Sequence, residues 1–316
     1  MAPASCTWYW SKMGIFVLGS LNMDLVVRVD RLPRAGETLT GSDLAFFCGG
    51  KGANQACAAA KLGGAVTMVG QVGNDAFAAT LRQGLERAGV DATGVGAAER
   101  SSGSALIAVS AEGENLIIVS PGANASLDPA TALARLQSLG PGDLLLCQLE
   151  TPLETVAAAL AHARARGATT ILDPAPARPL PAEILRHVDI LTPNQTEAAT
   201  LCGTPDLAID DYPAAERVAA TLLALGPSTV ILKLGSLGCF VANREGRTPV
   251  PGFEVAVVDT TAAGDTFNGA LAVALAEGRD VFAAARFANA AAALSVTRPG
   301  AQSSLPDRVE VDAFLR

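Results

Sequence analysis

Two carboxylates, a run of small residues and the start of a helix share one short stretch of this chain, Asp259-Thr260-Thr261-Ala262-Ala263-Gly264-Asp265-Thr266-Phe267-Asn268-Gly269-Ala270. The helix-forming run Ala270-Leu271-Ala272-Val273-Ala274-Leu275 follows at once. A small-residue turn that opens a helix leaves backbone N–H groups without partners, which makes it a natural anion site. Asp265 stands at that opening, placed to take a proton from an alcohol. Donors from Ala262, Ala263 and Gly264 beside such a base form what phosphoryl transfer to a hydroxyl requires.

A second small-residue run lies upstream, Gly49-Gly50-Lys51-Gly52-Ala53-Asn54-Gln55-Ala56, and leads straight into a helix. Missing side chains at Gly50 and its neighbours let a ligand approach the backbone, and Lys51 and Asn54 offer donors to hydroxyl groups. A tight turn before a helix explains the same residues. Asn22 and Asp24 are two apart, so on an extended segment they point the same way. An amide beside a carboxylate suits a vicinal diol; the alternative is an Asx turn. Met23, between them, could tune which diol is taken. Glu150 ends the strand-like stretch Leu144 to Gln148, either as a solvated helix cap or as a site group. Asn194 and Glu197 share a face if a helix begins there, and capping alone accounts for both. Lys233-Leu234-Gly235-Ser236-Leu237-Gly238 follows a buried strand and reads by itself as a hairpin turn.

The elements that must position these groups follow from periodicity. Ile15 to Gly19 is a short apolar strand ending in glycine, as buried parallel strands do. Leu25 to Val29, Leu39 to Phe47 and Ser104 to Val109 read as half-exposed strands separated by turn signals such as Pro33-Arg34-Ala35-Gly36. From Ala53 onward strands alternate with helices. The strands are Val66–Val69, Leu144–Gln148, Thr170–Asp173, Ile190–Thr192 and Val230–Lys233; the helices include Ala53–Leu62, Ala76–Ala88, Leu153–Arg166 and Ala214–Leu225. That alternation predicts an α/β fold, a three-layer sandwich around a mostly parallel sheet, with a small β appendage. Ligands in such sheets bind beyond the carboxyl ends of the strands, where the candidate groups fall.

Composition narrows the partners. With 23 Lys and Arg against 31 Asp and Glu, the formal charge is −8, which speaks against nucleic acid or an anionic membrane. An anionic nucleotide would need a local cradle. The six cysteines are scattered without a C-x-x-C pair and read as reduced thiols. His162 and His187 fall in helical stretches without metal-ligating neighbours. No apolar run reaches the roughly 18 residues that span a bilayer, because Lys61 and Arg286 interrupt the two Ala-rich candidates. Residues 1–12 lack a basic region followed by an apolar one; they read as a disordered extension, with Met13 as an alternative start. The chain reads as cytoplasmic. There is no G-x-x-x-x-G-K-[ST] and no G-x-G-x-x-G.

The two small-residue runs, roughly 200 residues apart, resemble the two signatures of the ribokinase family of carbohydrate kinases. The second is usually written D-T-x-G-A-G-D, and Ala262 stands at its first glycine. The change is minor if Ala262 is helical and matters if the position needs positive φ. The resemblance runs from about Gly14 to Leu315 and implies a ribokinase-like domain over 13–316, with a β lid formed by parts of about 22–48 and 100–120, Gly36-Glu37-Thr38 included. The implied reaction is ATP-dependent phosphorylation of D-ribose at its 5-hydroxyl, with Asp265 as general base. It implies that Asn22, Asp24, Gly50, Lys51, Asn54 and Glu150 bind the sugar. The nucleotide falls to Asn194, Lys233, Leu234, Gly235, Ser236, Leu237, Gly238, Gly264 and Asp265, with Asn289 near the adenine. Asn194 and Glu197 would order Mg²⁺, largely through water. Asp259, Thr261, Ser295, Arg298, Gly300 and Ser304 would hold K⁺. Asp173 and Lys233 depart from the family's pattern, where Asn and a small hydroxyl residue are usual. A lid with exposed edges and an apolar face implies a homodimer. Three rivals stay open: a kinase of deoxyribose or another furanose-like sugar or nucleoside, a non-catalytic sensor, and a purely structural protein.

Overall fold

The computed structural model describes residues 13–316; the extension expected over 1–12, and Cys6 within it, lie outside the described residues. The strands are β1 (Gly14–Leu18), β2 (Asn22–Val29), β3 (Ala45–Gly49), β4 (Ala65–Val72), β5 (Val95–Ala97), β6 (Gly103–Ser110), β7 (Asn115–Ser120), β8 (Leu144–Cys147), β9 (Thr169–Leu172), β10 (Ile190–Leu191), β11 (Thr229–Lys233), β12 (Gly238–Ala242) and β13 (Arg247–Pro251). The helices are α1 (Lys51–Lys61), α2 (Ala76–Arg87), α3 (Pro129–Arg135), α4 (Leu153–Ala165), α5 (Ala182–Leu185), α6 (Gln195–Leu201), α7 (Tyr212–Ala224), α8 (Ala263–Ala276), α9 (Val281–Ser295) and α10 (Arg308–Phe314).

Nine strands form one sheet in the order β13-β12-β11-β10-β9-β8-β1-β4-β5. It is parallel from β11 to β5 and antiparallel at β12 and β13. Alternation along β1 explains the layers. Ile15 and Val17 join a core with α1, α8 and α9, while Phe16 and Leu18 join one with α3, α4 and α7. With both faces covered, these strands are continuous apolar runs, and the three layers match the expectation.

The appendage is a four-stranded sheet, β3-β2-β6-β7. β2 pairs antiparallel with β3 and parallel with β6, and β6 pairs antiparallel with β7. It leaves the main body at Asn22, whose neighbours across the ladders are Gly49 and Gly103. The strand expected over Leu39–Phe47 shrinks to Ala45–Gly49. Gly41-Ser42-Asp43 breaks it, and Ser42 only touches the outer end of β2, its N–H donating to the Arg28 carbonyl at 2.8 Å. His162 does lie on α4, whereas His187 sits in the turn after α5 rather than in a helix. Met23, expected to tune the sugar, points to the opposite face from Asn22 and Asp24 and is buried in the core.

Candidate active site

Helix α8 begins at Ala263, and Ala262 precedes it in the left-handed region at φ 59°. The conformation left open by the sequence is therefore the demanding one. It turns the chain sharply enough to aim the first helical N–H groups outward. The Ala263 N–H is engaged by the Thr260 carbonyl at 3.2 Å. Among the described residues, the N–H groups of Gly264 and Asp265 meet no acceptor, so the anion cradle rests on these two and Ala262.

Asp265 is buried and held from α1. Its Oδ2 accepts from Asn54 Nδ2 at 3.0 Å and its Oδ1 from Gln55 Nε2 at 3.0 Å. The two helices approach this closely because Gly269 has no side chain. A Cβ there would lie 2.7 Å from the Ala58 Cβ and from the Gln55 carbonyl. Gly52 plays the matching part at the start of α1, where a Cβ would lie 2.6 Å from the backbone of Gly19 and Ser20. Burial raises the Asp265 pKa; Lys51 opposes this, Asp173 adds to it, and the two amide hydrogen bonds temper it. A carboxylate shifted upward is a stronger base once ionised.

Gln55 is the hub that the sequence reading missed. Its Oε1 accepts from Gln148 Nε2 at 2.5 Å, and its Nε2 also donates to Asp173 Oδ2 at 2.9 Å. Gln302, also unassigned, donates to Asn54 Oδ1 at 3.3 Å, turning the Asn54 amide nitrogen toward Asp265. The available signal was two adjacent amides in an otherwise Ala-rich buried helix.

Toward β2, Asn22 accepts from Asn124 Nδ2 at 2.8 Å. Asn124 also clamps the Leu21 backbone through both its polar atoms. Glu150 Oε2 accepts from Ser20 Oγ at 2.5 Å and from the Lys51 N–H at 3.1 Å, so it ties the start of α1 into the site's framework and does not cap the helix that follows it in sequence. Burial raises the Asp24 pKa to about 7, with the Glu150 and Asp265 charges adding to it. Burial works against the Lys51 ammonium, yet Asp265, Asp173, Glu150 and Glu197 outweigh it and push its pKa up.

On the other side of Asp265 opens a cavity of about 870 Å³. Lys51, Asn194, Glu197, Lys233, Gly235, Ser236, Gly238, Gly264, Asp265 and Asn289 line it; Leu234 is buried behind the loop. Gly235–Leu237 form one short helical turn ahead of β12. Asn194 caps α6 and exchanges hydrogen bonds with Glu197 in a capping box, each at 2.8 Å. The capping reading of this pair is therefore correct, and both residues also face the cavity. Asn289 donates to the Val250 carbonyl at 3.0 Å.

The residues read as cation ligands gather around the end of α9. Asp259 accepts from the Thr261 hydroxyl at 2.6 Å and from the Gly300 N–H at 2.8 Å. Burial alone would raise its pKa, but these bonds outweigh it and hold it below the usual carboxylate range. The Asp259 N–H donates to Val296 O at 3.2 Å, one residue past Ser295. Arg298 pairs with Glu310, and the Ser304 hydroxyl donates to the Ala301 carbonyl at 2.8 Å.

Comparison with known proteins agrees with this geometry. The pattern of the pfkB family carbohydrate kinase matches residues 13–308. A ribokinase of Bacillus subtilis is 43% identical over 301 residues, covering 95% of this chain and 99% of its own. A deoxyribokinase of Salmonella typhi is 38% identical over 305 residues, covering 96% and 99%. The structure of Arabidopsis thaliana ribokinase complexed with ribose and ATP superposes with a TM-score of 0.88 at 34% identity, covering 96% of this chain and 99% of that one.

Proposed function

The chain belongs to the pfkB family of carbohydrate kinases, and from that premise we propose that it transfers the γ-phosphoryl group of ATP to the 5-hydroxyl of D-ribose. The observation that carries this reading is Asp265, a buried carboxylate fixed by two amides beside unpaired N–H groups at the mouth of a large cavity. Asp265 takes the proton as the hydroxyl oxygen attacks the terminal phosphorus. The cradle N–H groups hold the charge that develops. Asn22, Asp24, Lys51, Asn54 and Glu150 bind and orient the sugar, and Asn289 and the Gly235–Gly238 turn flank the nucleotide.

Asn194 and Glu197 fit Mg²⁺ held through water, since each Glu197 oxygen already accepts from Asn194 and magnesium keeps most of its waters. When bound it would neutralise phosphate charge. Asp259, Thr261, Ser295, Arg298, Gly300 and Ser304 supply a carboxylate, a hydroxyl and carbonyl oxygens, a donor set suited to a hard cation such as K⁺. That cation would steady the loop leading into the cradle. The four-stranded sheet would act as a lid that excludes water. The five cysteines among the described residues are free, and no helix among those residues is long and apolar enough to cross a membrane; a cytoplasmic location fits both.

The similarity to a deoxyribokinase favours one second reading, that 2-deoxyribose is the preferred acceptor. ADP release measured with ribose, deoxyribose, fructose and adenosine separates them: kcat/KM should be highest for ribose. In parallel, Asp265→Asn should lower kcat by on the order of 10² to 10⁴ without loss of thermal stability. Near wild-type turnover in that variant would remove Asp265 from its role.

A further inference from the structure

Lys233 ends β11 and Asp173 follows β9, two strands separated only by β10. Their side chains are 13% and 3% exposed, and Lys233 Nζ lies 2.8 Å from Asp173 Oδ1. An ammonium has three donors. Asp173 takes one, and among the described residues no other acceptor lies within hydrogen-bond reach of Nζ. Both residues line the cavity. A Cβ placed on Gly264 would lie 3.5 Å from Lys233 Nζ, so the unspent donors stand directly beside the anion cradle.

The other Asp173 oxygen accepts from Gln55 Nε2, which also donates to Asp265. The ion pair is thus one amide away from the proposed base. Its stabilising value is low, because burying both charges largely offsets their attraction. A pair of neutral residues would hold the strand ends at least as well, so charge at this spot needs another reason.

We propose that Lys233 and Asp173 act as one unit, in which Asp173 positions the ammonium and Lys233 places a fixed positive charge on the terminal phosphates of the nucleotide at the cradle. The assignment rests on the phosphoryl-transfer reading above. Lys233 is then a phosphate-binding residue and Asp173 a positioning residue. Glu150, Glu197 and Asp265 gather negative charge around the cradle, and Lys51 and Lys233 are cations that oppose it there.

The test compares wild type with Lys233→Thr, Lys233→Arg, Asp173→Asn and the double variant Lys233→Thr/Asp173→Asn. Thermal unfolding is followed without ligand, calorimetry measures Mg·ADP and Mg·ATP binding at two salt concentrations, and steady-state kinetics give kcat and the ATP KM. Lys233→Thr strands a buried carboxylate and should lower Tm, whereas the double variant should regain wild-type Tm. Nucleotide binding should stay roughly ten-fold to a hundred-fold weaker in both, the loss of one charge-assisted hydrogen bond, with a shallower salt dependence. Lys233→Arg, which keeps the charge, should bind within about ten-fold of wild type. Wild-type affinity and salt dependence in the double variant would overturn the assignment while leaving the kinase reading intact. Absence of nucleotide binding in the wild type would sink that reading and this assignment together.

Discussion

Ala262 is the residue with a positive φ outside glycine among the described residues, and it stands at the cradle. The sequence showed an alanine where a glycine is usual but not which backbone region the turn demands, since that depends on how β-strand ends and α8 meet. An L-residue in the left-handed region costs roughly 1–2 kcal/mol, and glycine gives back about 0.4–1 kcal/mol through its freer unfolded chain. Ala262→Gly should therefore stabilise the protein by about 1 kcal/mol or less, a Tm rise of about 1–3 °C; an unchanged or lower Tm would show that the turn carries no strain. Asp24 makes a second residue-scale prediction. Burial raises its pKa from 3.8 to about 7 in the folded chain, so the fold favours the neutral form. The stability contributed is present in full below the unfolded value and is lost as pH rises through about 7. Without ligand, Asp24→Asn should gain Tm over wild type as pH goes from about 4 to about 7, with the difference level above that. A gap independent of pH would mean that Asp24 is not shifted.

The two elements that build the site, α1 and α8, were legible as a pair of small-residue runs each opening a helix. Their contact was not, because it is a tertiary fact between segments roughly 200 residues apart. Gln55 shows the difference. Its letter stood in the first signature, yet its three partners stand just past the ends of β8 and β9 and in α8, which only folding brings together. Short parallel strands were read well because both faces are buried and their apolar runs are continuous. β12 and β13 escaped, since Pro249 and Pro251 break the second strand's pattern at a sheet edge, where proline is tolerated. The α1–α8 contact gives the test at this scale. A methyl at Gly269 would have to be relieved against Ala58 and the Gln55 carbonyl. Gly269→Ala should cost about 1–3 kcal/mol of stability and lower kcat more than it changes the sugar KM, since the separation acts on the hydrogen bonds to Asp265. A fall in stability with kcat untouched would show that these amides do not position the base.

At the scale of the whole molecule, the four-stranded sheet poses a physical problem that the other described residues do not solve. One face packs Met23 and Leu25 against Phe77 of α2. Phe46 lies against the same Phe77 ring at 6.1 Å, and that face continues into Leu106, Leu116 and Ile118, between 41% and 57% exposed; the opposite face, which carries Asp24, holds Phe47, Ile117 and Val119, between 46% and 52% exposed. β7 is an edge strand, every residue of it is exposed, and Asn115-Leu116-Ile117-Ile118-Val119-Ser120 contains neither charge nor proline. An uncovered strand of this kind invites pairing or aggregation. The net charge of −8 keeps copies apart at long range without shielding an apolar face at contact. A second copy, presenting β7 and the Phe47, Ile117 and Val119 face about a two-fold axis, would cover both in a closed arrangement. Because β2 carries Asp24 into the proposed sugar site and pairs directly with β6, covering this sheet would also steady the proposed lid. Light scattering at micromolar concentration should therefore give twice the chain mass of 32.0 kDa. Ile117→Asp should yield a monomer with a higher sugar KM and a nearly unchanged nucleotide affinity. A wild-type chain that is monomeric and soluble at that concentration would refute the dimer, and a monomeric variant with an unaltered sugar KM would separate assembly from the lid.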